Sequence, residues 1–140
     1  MEAGHLEEAE KIFSELIEGD PKAYEAILHR SLLRIRIQRL TEALSDADLC
    51  VKLRPENALS FMVQGECLLE LKRFQEARAS FLSSLGLEKD NGRTHFGLGL
   101  ANLGLGRRLD AADCFEEALH FERDYVTAQW MARTLVNINT

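Results

Sequence analysis

Ala9, Ala43, Ala77 and Ala111 stand thirty-four residues apart, three times running, and nothing else in this chain restricts its fold as strongly. An acid precedes each alanine: Glu8, Glu42, Glu76 and Asp110. Phe13, Ala47, Phe81 and Phe115 keep the register four residues later, and Ile17, Val51, Leu85 and Leu119 four beyond that. A small residue followed by apolar ones at i+4 and i+8 makes one face of a helix. The small residue lets a second helix come close, and the larger ones fill the space beside it. Four segments, 4–21, 38–55, 72–89 and 106–123, align on this pattern without a gap. A period of this length marks stacked units, each too small to bury its apolar face alone.

Further helical stretches lie between these segments, beginning near Tyr24, Leu59 and Thr94. They carry a small residue of their own at the same period: Ser31, Gly65 and Gly99. Turn-forming clusters separate the helices at Gly19-Asp20-Pro21, Arg54-Pro55-Glu56-Asn57 and Lys89-Asp90-Asn91-Gly92. Asp20 is expected to cap the helix that follows it, with Pro21 at its first position. The chain therefore reads as helix hairpins, one per period.

This pattern closely resembles the tetratricopeptide repeat, a helix–turn–helix unit. The resemblance implies an all-α, right-handed superhelical array of antiparallel helix hairpins with about eight helices over residues 1–140. In that register 1–23 is a half unit holding only a second helix. Full units follow at 24–57, 58–91 and 92–125, and a closing helix occupies 126–140. Arg34 replaces an aromatic of the family pattern, Arg108 replaces Tyr or another large apolar residue, and Lys89 and Arg123 replace proline. Single contacts are weakened by these departures, and the period survives.

The glycine-rich stretch HFGLGLANLGLGRRL at 95–109 invites a phosphate-loop reading, which fails. Neither Gly97-x-Gly99 nor Gly104-x-Gly106 gains the third glycine of a dinucleotide fingerprint, and no Lys-Ser/Thr follows. In the repeat register Gly99 is the small residue of a first helix and Gly106 the turn. Gly97 and Gly104 are extra, each costing about 1 kcal/mol relative to Ala in a helix interior. They are either drift at tolerant positions or, for Gly97, a place where a ligand backbone comes close.

Composition removes several function classes. A net charge of −6 opposes nucleic acid as the main partner, since phosphate binding needs a basic surface. No apolar run is long enough for a membrane span. The N-terminal MEAGHLEEAEK is acidic and amphipathic and does not read as a signal peptide. Three widely spaced cysteines fit buried thiols in a reducing compartment, so a cytoplasmic or nuclear setting is expected. No spacing suits a metal, no cofactor motif is present and no catalytic constellation forms, so the chain is not expected to be an enzyme. The basic run His29, Arg30, Arg34, Arg36 and Arg39 pairs with Glu7, Glu10, Glu15 and Glu18 or, alternatively, docks an acidic partner.

The resemblance places function in a concave groove lined by the first helices. One subclass of the family grips the C-terminal carboxylate of heat-shock chaperones with Lys and Asn on one helix, Asn on the next, and Lys and Arg on the third. Those five positions fall here on Leu28, Leu32, Val63, Arg93 and Gly97, so that clamp is absent. The groove positions are instead largely apolar: Leu28, Leu32, Ile35, Leu59, Met62, Leu69, Phe96, Leu100, Leu103 and Trp130. Glu66 and Arg93 are placed to set the register of a bound peptide. The expected function is a protein-interaction scaffold holding an apolar or amphipathic segment, with Met62, Phe96 and Trp130 as anchors. The alternative is a self-assembling subunit, or a piece of a longer scaffold. It would dock through the N-terminal helix, whose apolar stripe of Leu6, Ala9, Ile12, Phe13, Leu16 and Ile17 suits two neighbours.

Overall fold

The structure, a computed structural model, describes residues 2–124. Seven helices occupy them: α1 (Glu2–Gly19), α2 (Tyr24–Arg36), α3 (Leu40–Leu53), α4 (Ala58–Glu70), α5 (Phe74–Leu87), α6 (Gly92–Gly104) and α7 (Arg108–Phe121). No strand occurs among the described residues. The expected closing helix at 126–140, with Trp130, lies outside them. Helices α2/α3, α4/α5 and α6/α7 pair as hairpins, and each hairpin stacks on the next.

Local chemistry sets the helix ends. The Asn57 side chain accepts from the Leu59 N–H to open α4, and Asn91 accepts from the Thr94 N–H to open α6. Asp20 does not cap α2 as expected. Its carboxylate accepts from the Lys22 N–H two residues on, its carbonyl accepts from the Ala23 N–H, and the helix starts only at Tyr24. An aspartate followed by proline has closed a turn on itself, which competes with capping.

The three hairpins turn in the same way. Gln38, Lys72 and Gly106, one period apart, take φ of 65°, 62° and 79°. The next residue's N–H reaches back to Arg34, Leu68 and Asn102 carbonyls at 2.8–2.9 Å. This is the left-handed helix stop of a Schellman motif, which glycine adopts without the cost a side chain brings. Gly4 holds the equivalent register, yet it lies inside α1.

The period's small-against-large logic is realised in the core. Ala43, Ala77 and Ala111 are buried at helix crossings. A β-carbon on Gly65 would lie 2.8 Å from the Phe81 ring, and one on Gly99 would lie 2.5 Å from Phe115. Gly97 is neither drift nor an opening for a ligand. Its missing side chain is replaced by the Phe81 ring of the preceding hairpin, and that of Gly104 by Phe74. Phe81 is thus seated between Gly65 and Gly97, wholly buried. Buried hydroxyls close the remaining gaps: Ser31 donates to the Ala43 carbonyl at 2.7 Å and Ser84 to the Ala58 carbonyl at 2.9 Å.

Two glycine substitutions should therefore move stability in opposite directions. Gly97→Ala adds a methyl where the Phe81 ring sits and is expected to cost about 1–3 kcal/mol, outweighing alanine's helix preference. Gly86→Ala meets open space in α5; it should stabilise by about 0.4–1 kcal/mol. Urea unfolding of both variants checks this, and shifts of the same sign would refute the packing role of Gly97.

Candidate functional site

Helices α2, α4 and α6 lie side by side and share one face of the array. The predicted site residues divide sharply there. Leu28 and Met62 belong to the main core, where Met62 is only 4% exposed and lies under the Asn91 side-chain nitrogen at 3.8 Å. Phe96 is 3% exposed, enclosed by Leu100, Phe115 and Ala118. These three residues do not offer the surface expected of them, because the neighbouring helix or the loop before it already covers that position. Trp130 is outside the described residues.

What stays accessible is a row nearer the helix ends. Leu59 and Leu103 are 40% and 44% exposed. Leu32, Ile35, Leu69 and Leu100 are half-buried. Ile35, Leu69 and Leu103 repeat at the period, one per first helix. Between them Arg93 grips Glu66 with two hydrogen bonds of 2.6 and 2.7 Å, joining α4 to α6. Planar pairing of this kind is strong and directional. It also commits the sole cation at the carboxylate-clamp positions to a partner within the chain.

The basic run on α2 is engaged as well, and the sequence pointed to only one of its two acids. Arg30 pairs with both oxygens of Asp46 at 2.7 and 2.8 Å and donates to the Ser14 hydroxyl at 3.1 Å. Arg34 bridges Glu10 at 2.8 Å and Asp46 at 2.9 Å, and Arg39 adds a bond of 2.7 Å to Glu10. Glu10 alone of the four expected acids takes part in this network; Asp46 on α3 supplies the other close partner, and Glu42 stands 4.0 Å from Arg34. Arg34, which departs from the family's aromatic, is the centre of a largely buried ionic clasp joining α1, α2 and α3. His29 stacks on Phe13 with ring centroids 6.1 Å apart. The run is therefore built into the fold, and it is not a docking surface for an acidic partner.

The electrostatics follow from these partners. The hydrogen bond from Arg34, with the charge of Arg39, holds Glu10 below the usual carboxylate range despite its burial. Asp46 raises Arg30 further above its ordinary value. Burial pushes the thiols of Cys50 and Cys67 up to about 12. Among the described residues no three His, Cys, Asp or Glu side chains gather as a metal site, and no helix is long and apolar enough to cross a membrane.

The tetratricopeptide repeat model matches residues 50–94, the span from the end of α3 to the start of α6. That span matches a tetratricopeptide repeat, and the hairpins on either side of it repeat the same turn and period. The chain is 27% identical over 91 residues to the Protein SGT1 homolog of Oryza sativa subsp. japonica, covering 65% of this chain and 24% of that protein. It is 29% identical over 83 residues to the Protein STIP1 homolog of Dictyostelium discoideum, covering 59% of this chain and 15% of the other. The chain thus spans a quarter or less of these relatives' length. Among solved structures, MamA 41-end from Desulfovibrio magneticus RS-1 superposes with a TM-score of 0.78 at 18% identity. That match covers 88% of this chain and 70% of MamA. The Arabidopsis OM64 TPR domain gives 0.69 at 25% identity, covering 72% and 84%. At the first of these identities the likeness speaks for the fold alone. This repeat fold is a protein-interaction module.

Two measurements test the electrostatics. Glu10 has a lower pKa folded than unfolded, so its stabilisation is complete above the ordinary carboxylate range. It is lost as pH falls through the lowered value. Glu10→Gln is expected to cost about 1.5–3 kcal/mol at neutral pH and to flatten the acid limb of the stability curve; an unchanged limb would refute the clasp. At neutral pH Cys50 and Cys67 should resist a thiol-reactive dye until the chain unfolds. Labelling of either at the rate of a free thiol would contradict the burial described.

Proposed function

We propose that this protein is a non-enzymatic, cytoplasmic or nuclear scaffold that holds an apolar or amphipathic segment of a partner along the face of α2, α4 and α6. The carrying observation is the accessible row Leu59, Ile35, Leu69, Leu100 and Leu103. Accessible apolar surface repeated once per unit suits a partner that runs across the units. The anchors are reassigned from Met62 and Phe96 to Leu69, Leu100 and Leu103. Glu66 and Arg93 neutralise one another, so the site selects by shape and apolar area more than by net charge. A carboxylate-terminated ligand has little to gain here. Its one cation is engaged, and desolvating it against leucines is costly. A second reading, docking through α1, is favoured by the exposure of Ile12 and Leu16.

The test is affinity capture and calorimetry with the intact protein and a Leu69→Glu/Leu103→Glu variant. Loss of captured partners in the variant, with helicity unchanged, is the expected outcome; an identical partner set would count against the groove. A peptide ending in the acidic chaperone motif should bind no better than its scramble. Binding that disappears on amidating its C-terminus would defeat the apolar assignment.

A further inference from the structure

Helix α1 exposes two large apolar side chains in a row, Ile12 at 52% and Leu16 at 55%. Three equivalent helices in the same chain show what covers that face. One period on, the register of Leu16 is held by Cys50, Ser84 and Ala118, all completely or almost completely buried. The register of Ile12 is held by Asp46 and Ser80, both buried, and by half-buried Cys114. In each hairpin the cover is the helix that precedes. Asp46 meets Arg30, Ser80 meets Gln64 at 2.9 Å, and Cys114 meets Asn102 at 3.6 Å. Ser84 meets the Ala58 carbonyl, and the Ala118 carbonyl lies 2.9 Å from where a β-carbon on Gly92 would be. Phe81 and Phe115, in the register of Phe13, rest on Gly65 and Gly99 of that same preceding helix.

We propose that the Ala9–Ile12–Phe13–Leu16 face of α1 is a docking site for a helix of a partner protein, laid antiparallel to α1 as α2, α4 and α6 lie on α3, α5 and α7. The side chains on the face specify that helix. Phe13 requires a residue without bulk opposite it, as Gly65 and Gly99 are opposite Phe81 and Phe115. Leu16 is larger than Cys50, Ser84 or Ala118, so its opposite position must be small, as Gly92 is. Ile12 replaces residues that pair with polar groups, so its opposite position must be apolar. Exposed Glu8 and Glu15 border the stripe and favour Lys or Arg on that flank of the partner. The rule is thus small at the first position, apolar at the seventh and Gly, Ala or Ser at the eighth. A second copy of this chain fits it poorly, since its α2, α4 and α6 are already covered.

Helix α6 satisfies the rule with Gly92, Leu98 and Gly99, which supplies a probe. A labelled synthetic peptide of residues 92–105 carries Gly97→Ala and Gly104→Ala. Those two glycines meet α5 in the fold and not α7, so alanine there raises helix propensity without altering the docking side. Fluorescence anisotropy with the intact 140-residue chain should show saturable binding. Ile12→Glu/Leu16→Glu in the protein, or Gly99→Leu in the peptide, should each weaken it by about tenfold or more. Both protein positions are over half exposed, and circular dichroism verifies that the variant remains folded. Leu69→Glu/Leu103→Glu should leave peptide binding unchanged, which separates this site from the groove. Absence of saturation overturns the proposal, as does equal binding of the Gly99→Leu peptide. Peptide-free dimerisation abolished by Ile12→Glu/Leu16→Glu overturns it too, by making a second copy the occupant.

Discussion

An aromatic ring pressed against a backbone that has no β-carbon sets the spacing of this array. Phe81 needs Gly65 on one side and Gly97 on the other, and Phe115 needs Gly99. A methyl at any of these glycines would drive two helices apart, because cores of native density have no slack to absorb it. The alanines at the crossings serve the same end on the second helices. Close approach then brings the hydroxyls of Ser31 and Ser84 within reach of neighbouring carbonyls. Those hydrogen bonds follow from the approach; they do not create it.

The first hairpin solves the same problem with different chemistry. Where Phe81 and Phe115 stand in later units, α3 carries Ala47, and the positions of Gly65 and Gly97 are held one period earlier by Ser31 and Val63, both wholly buried. Arg30 and Arg34 reach Asp46, and Arg34 and Arg39 reach Glu10. Such a clasp demands that every charge keep its partner, since stranding one costs far more than the pair contributes. It fixes the position of α1 by direction, while the later units rely on shape. The first hairpin and the later ones therefore differ in kind as well as in sequence.

Helix content, period, hairpin turns and the buried alanines could all be read from the sequence, because each is signalled within one unit. What escaped reading involves partners in a different unit or on the opposite helix. Gly97 looked superfluous because its partner, Phe81, lies sixteen residues back in the previous hairpin. That offset recurs: Arg30 with Asp46, Gln64 with Ser80, Phe13 with His29. Adding sixteen to each residue of the basic run would have found Asp46. The groove anchors failed for a related reason. Met62 and Phe96 occupy register positions that point inward, but side-by-side helices leave no gap above them. Exposure moves four or seven residues along, to Leu69, Leu100 and Leu103. Asp20 misled because one carboxylate can serve a turn or a cap, and the following proline favours the turn.

Every helix contact among the described residues joins helices adjacent or next but one along the chain. Among them nothing returns from a distant segment to lock the structure, as a sheet or a closed barrel would. A pull applied at both ends would therefore load the boundaries in series, like links. Among the described boundaries between successive helices, the least extensive is the one between α1 and α2, and it would set the resistance. A second helix laid along α1 would bear load beside that link. In such an assembly, engagement by a partner would set the tension the chain can transmit as well as what it holds.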